Sequence, residues 1–146
     1  MKLKVIAIFA VVGIVFIFIF MSVPWITGML TGWKRLSDRY PFSGKIPSSH
    51  IWRNCSVPNL TLKNFLTVSL DNNGMYFEMP LWFQIGNPPL FIPWSKIYVS
   101  DSSLLGKKTI KFSFHGSETT FHFYSAQANE FKKAAGSFWP KVNTTN

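Results

Sequence analysis

Acidic side chains are scarce here: six Asp or Glu in 146 residues, against fifteen Lys or Arg. So few carboxylates leave little choice for a general acid–base pair, and none stand close together in the pattern. Cysteine is scarcer still. A single thiol, Cys55, rules out an intramolecular disulfide and gives no report on the redox compartment. One Cys among three His is also no signature of a nucleophile with its base. His50, His115 and His122 do not fall at H-E-x-x-H or any other metal-ligand spacing. A phosphate-cradling glycine loop is missing, because "GNPP" and "LLGKKT" lack both the glycines and the strand–loop–helix context. These absences predict no enzyme, no metal site and no cofactor.

Charge is absent altogether from one stretch. No ionisable side chain occurs in the 29 residues between Lys4 and Lys34. Thirteen of the sixteen residues from Val5 to Phe20 are Val, Ile or Phe, which favours bilayer insertion by about 4 to 8 kcal/mol. Residues 1–30 are therefore read as a single transmembrane anchor, long and apolar enough to span a bilayer. "MKLK" before an apolar run also begins a signal peptide. However, "FMSVPWITGML" offers bulky residues and a proline where cleavage wants small ones. The expected location is the cell membrane. Orientation stays open: Lys2 and Lys4 argue for one topology, Lys34, Arg35, Arg39 and Lys45 for the other.

From Thr31 onward thirteen Lys or Arg face all six acids, a net charge of +7. A basic domain beside a bilayer suits anionic head groups, and equally an acidic protein or plain solubility. Residues 31–49 read as a juxtamembrane linker. Within it "WKRLSDR" reads as an interface belt, with Trp33 at head-group depth and Lys34 and Arg35 against phosphates. Lys107, Lys108 and Lys111 are the other candidate anionic-lipid contacts. Nucleic acid is not expected, because most phenylalanines fall on an apolar core face and the lysines are scattered. Asn-x-Ser/Thr triplets at Asn54, Asn59 and Asn143 are weak glycosylation signals.

Residues 50–140 read as strands followed by one helix, with 141–146 as a tail. In "NFLTVSLDNNGMYFEMPLWF", Asn73-Gly74 suits a two-residue type I′ turn. That register sets Leu70 opposite Phe77, Val68 opposite Met79 and Leu66 opposite Leu81, with a strand running from Met75 to Phe83. The other face then carries Phe65 beside Trp82, an exposed aromatic pair. A second hairpin turning at Gly116-Ser117 sets Ile110, Phe112, Phe114, Phe121 and Phe123 on one face, with Phe112 opposite Phe121. Then the period changes: Ala128, Phe131, Ala135 and Phe138 recur at helical spacing after Ser125, a good N-cap, and Trp139-Pro140 ends the run. Proline-rich "GNPPLFIPWSKI" reads as a turn at Gly86–Pro89 and a short strand broken near Pro93, with Trp94 and Ile97 pointing inward.

The expected class is α+β: a transmembrane helix, then an antiparallel, partly open barrel or bent sheet closed by a C-terminal helix. The run "FLTVSLDNNGMYFEM…PPLFIPWSKIYVS…TIKFSF…TTFHFYS…ANEFKKAA" resembles bacterial pleckstrin-homology-like (PH-like, GRAM-type) sequences. More narrowly, "GW-x-x-L-x-x-x-YP" (Gly32, Trp33, Leu36, Tyr40, Pro41) and "PPL-x-IPW-x-x-I" (Pro88 to Ile97) resemble short membrane-anchored bacterial proteins of uncharacterised role. In that group a His often precedes the proline pair, where this chain has Asn87. The resemblance implies a fold and a membrane location, and no activity. A protein-binding module, or an accessory subunit of a membrane assembly, is the leading expectation. Its candidate surface is Phe65, Trp82, Pro88 and Pro89, since interfaces enrich exposed aromatics. Anionic-lipid binding is the alternative.

Overall fold

A computed structural model describes residues 2–60 and 62–141. The Asn143 triplet lies outside them. The chain opens with α1 (Lys2–Leu30) and, after a two-residue break, α2 (Trp33–Arg39). A four-stranded antiparallel sheet follows: β1 (Ile51–Val57), β2 (Leu62–Leu70), β3 (Gly74–Glu78) and β4 (Leu90–Pro93), paired in sequence order. A three-stranded antiparallel sheet then forms from β5 (Ile97–Leu104), β6 (Lys107–Phe114) and β7 (Thr120–Tyr124), before α3 (Ser125–Ala135). The architecture is therefore α+β with two sheets. Among the described residues the sheets do not close into a barrel.

Residues 4–30 of α1 form a helix long and apolar enough to cross a membrane, and the most apolar part of it is not buried in the protein. The core instead lies between the sheets, where Val68, Phe77, Phe112, Phe114, Phe121, Phe123 and Phe131 are all buried. The alternation that placed the strand residues among these on one face is the periodicity a half-solvated sheet imposes, and Phe131 comes from α3.

The second hairpin has the expected register, Phe112 opposite Phe121 and Ile110 opposite Phe123. The first does not. Leu70 pairs with Met75 and Val68 with Phe77, a shift of two residues from the I′ expectation. Asp71 causes the shift: its Oδ1 accepts the amides of Asn73 (2.8 Å) and Gly74 (3.2 Å), and its own amide donates to the Gly74 carbonyl. That Asx geometry closes the turn one step earlier, around Asn72-Asn73. A slip of two keeps every side chain on its face, so the core set survives. The strand also stops at Glu78, and Leu81–Phe83 turns as a short 3-10 helix instead of continuing to Phe83. Leu81, expected opposite Leu66, is exposed. The two-residue turn with positive φ at both positions is at Leu105-Gly106 (51° and 74°), joining β5 to β6.

Residues 31–49 differ most from expectation, because they fold into the domain. Trp33 and Leu36 are fully buried, and the Trp33 ring stacks on Phe121 at 6.0 Å. Its Nε1 donates to the Pro88 carbonyl at 2.9 Å. Trp33 is thus a core residue and not a head-group belt. Tyr40 Oη donates to the His115 carbonyl, Arg39 to the Gly116 carbonyl, and the Phe42 amide to Pro89. Pro41 bridges to Leu90, and Ile46 is buried. α3 buries Ala128, Phe131 and Ala135 as its spacing predicted. It stops at Gly136 (φ 55°), so Phe138 falls on a 3-10 turn and is exposed. Ser125 makes no capping bond, because Tyr124 occupies the cap position.

Candidate functional site

The two sequence signatures are two halves of one seam. Gly32 turns the chain from α1 into α2 with φ of 74°, and a Cβ there would lie 2.3 Å from Thr119 Oγ1. The turn delivers Trp33 onto the Pro88 carbonyl, and Phe42 onto Pro89. In return, the Phe91 amide donates to Tyr40. Trp94 Nε1 reaches the Asp71 carbonyl at 2.9 Å, and Ile97 is buried. The expected break near Pro93 is present, and Pro93–Lys96 carries the chain from the first sheet to the second, a division that the sequence pattern did not indicate. The "PPLFIPW" stretch is therefore a structural corner.

The same seam holds α1 through Asn87, which in the sequence has the pattern of a turn former. Asn87 is fully buried. Its Nδ2 donates to the Pro24 carbonyl at 2.7 Å and to the Phe83 carbonyl at 2.9 Å. Its Oδ1 is buried with no hydrogen-bond partner. A Cβ on Gly28 would lie 2.0 Å from that oxygen, so the amide occupies the space that a side chain at 28 would need. Pro24 and Gly28 are spaced four apart, on one face of α1, and together form the notch. A glycine and a proline at that spacing, late in an apolar helix, were the available signal.

Of Phe65, Trp82, Pro88 and Pro89, only Trp82 and Pro88 are exposed. With the register slipped and β3 shortened, Phe65 packs edge-on against Phe83 (4.4 Å between centroids) and is half-buried. Trp82 is exposed and lies edge-on to Phe20 of α1 at 5.8 Å. Pro88 is exposed and Pro89 half-buried, both with carbonyls already engaged. The five basic candidates are also dispersed. Lys34 pairs with Asp38 (3.0 Å), and Arg35 lies 3.7 Å from Glu118 beside the β6–β7 loop. Lys107 stands over the Tyr124 ring at the opposite end of β6, Lys108 lines a different groove, and Lys111 sits mid-strand opposite His122. Exposed pairs of this kind contribute little on their own.

Among the described residues no three His, Cys, Asp or Glu cluster as a metal site would require. Cys55 is fully buried, and burial pushes its thiol up to about 12; the Glu130 carboxylate adds to this, while a backbone hydrogen bond from Val68 opposes it. His122 is held below its usual value, by burial first and by Lys111 second, with its Nδ1 3.4 Å from Thr109 Oγ1. A groove of about 560 Å³ is lined by Asp101, Ser102, Ser103, Lys108, Thr109 and Ser125. Compared with protein-family models, curated proteins and solved structures, the chain matches none.

Proposed function

We propose that this protein is a single-pass, membrane-anchored, non-enzymatic module of PH-like architecture, which works by contacting a protein partner as an accessory subunit of a membrane assembly. The observation that carries this reading is the Asn87 side chain seated in the Pro24–Gly28 notch of α1. A leader destined for removal has no reason to be keyed into the domain core. A domain whose connecting segment is folded, through Trp33, Leu36 and Ile46, is held in one orientation at the bilayer. A fixed orientation suits lateral contact with a neighbouring protein better than scanning on a tether. The strand order, four then three with a closing helix, is the order of PH-like domains and supports that part of the proposal.

The test uses membranes containing the full chain, with a photo-crosslinking residue at Tyr98, which is exposed on β5, and in parallel at Ile51 and at Phe138. After alkaline carbonate extraction the chain is expected to stay in the membrane and to carry one discrete protein adduct that high salt does not abolish. A chain released by carbonate would end the anchor reading. A retained chain with no protein adduct from any of the three positions would end the partner reading.

A further inference from the structure

The Leu81–Ile85 turn leaves three large apolar side chains in the open with no charge among them. Leu81 is 82% exposed, Trp82 61% and Ile85 57%. They stand beside α1: Trp82 touches Phe20, an apolar crevice is lined by Phe20, Val23, Pro24, Trp82 and Phe83, and Asn87 fixes the end of the turn to Pro24. We propose that this turn is a second membrane contact, with Leu81, Trp82 and Ile85 seated among lipids at the boundary between head groups and acyl chains. The proposal rests on the reading of α1 as an anchor and adds a surface to it.

Height along α1 selects lipid as the occupant. At about 1.5 Å per residue, the helix climbs roughly 30 Å from Lys4 to Pro24, the thickness of a hydrocarbon core. The turn fastened at Pro24 is therefore level with the bilayer boundary, continuous with the apolar flank of the helix. Trp25, exposed at the same level, and Trp82 then form the kind of aromatic belt that marks such boundaries. Backbone chemistry agrees. The Phe83 amide donates to Pro80, Gln84 to Leu81 and Asn87 to Gln84, so these donors need no water. The Gln84 side chain turns inward, its Nε2 donating to Glu78 Oε1 at 3.0 Å and to the Met79 carbonyl at 2.9 Å. Polar groups thus face the domain and apolar ones face outward.

The experiment places one nitroxide label at a time on the full chain in bilayer nanodiscs, in a Cys55→Ser background. Labels go at Ile85→Cys, and at Leu81→Cys in case either variant fails to fold. Phe9→Cys on α1 and Ala126→Cys on α3 serve as references. Collision with molecular oxygen reports lipid, and collision with a water-soluble nickel chelate reports solvent. The expected result is loss of nickel accessibility at Ile85 and Leu81 with oxygen accessibility like that of Phe9. Solvent-like labels at both turn positions, with Phe9 still in lipid, would overturn the lipid contact and leave the anchor standing. A solvent-like Phe9 label would overturn the anchor and this proposal together. Turn labels shielded from both reagents would mean a protein occupant and would also overturn it.

Discussion

Asn87 Nδ2 donates to the Pro24 carbonyl at 2.7 Å across 63 residues of sequence, with the amide oxygen pressed into the space over Gly28. A polar side chain so enclosed is stabilising only while its bonds are made. Asn87→Ala removes both donors from the seam and is expected to cost about 1–3 kcal/mol, read by denaturant unfolding in micelles. Gly28→Ala should cost a comparable amount in the native chain and much less in the Asn87→Ala chain, because the clash needs the amide. Additive costs would mean that the two residues do not share a site.

Trp33 makes a second, independent prediction. Its ring is fully buried against Phe121, so Trp33→Ala should destabilise the domain by about 3–5 kcal/mol. Arg35→Ala, losing only an exposed 3.7 Å pair, should fall within about 0.5 kcal/mol of the parent. A shortened chain starting at Thr31 should give a cooperative unfolding transition, and one starting at His50 should not. Equal behaviour of the two chains would show that residues 31–49 are a linker after all.

Leu105 occupies the left-handed region at φ 51° with its side chain 94% exposed. Leucine gains nothing there and is strained by about 1 kcal/mol, which asparagine largely avoids. Leu105→Asn should therefore raise the unfolding midpoint without changing the denaturant slope. A lower midpoint would mean that the leucine makes a contact worth more than the strain.

Cys55 ties stability to alkaline pH. The native thiol holds its proton up to about 12, against an ordinary value of 9.0. Between those values the unfolded chain releases a proton that the folded chain keeps, so stability is full below about pH 9 and falls as pH rises. Cys55→Ala should flatten that alkaline slope, and a thiol reagent should label Cys55 only after unfolding. Rapid labelling of the native chain would contradict its burial.

His122 works at the other end of the scale. Its folded value is depressed, so on acidification below about 6.5 the unfolded chain takes a proton first. Stability is fully present above that value and declines as pH falls. His122→Gln should decline less between pH 7 and pH 5; an unchanged slope would remove His122 as the cause.

Periodicity carried most of the core. The faces holding Val68, Phe77, Phe112 and Phe121 were legible because alternation fixes a face whatever the exact register. Register was less legible, since Asp71 competes for the turn amides, and whether its side chain bends back is decided locally. Trp33 was misplaced because an aromatic beside Lys34 and Arg35 has one pattern at a membrane surface and the same pattern on a buried short helix. Phe65 and Trp82 were paired by extending a strand that ends at Glu78, where Met79-Pro80 leads into a turn. The Pro24–Gly28 spacing of the notch is visible locally, but its pairing with Asn87, 63 residues from Pro24, is not.

The central claim is that the domain is fixed on α1 and does not swing from it. The most direct measurement is the distance distribution between nitroxide labels at Val11→Cys on α1 and Ala126→Cys on α3, in a Cys55→Ser chain in nanodiscs, by double electron–electron resonance. One narrow distribution is the predicted result. A broad distribution spread over tens of ångströms would mean a flexible tether, and would contradict the seam that Asn87, Pro24 and Gly28 form.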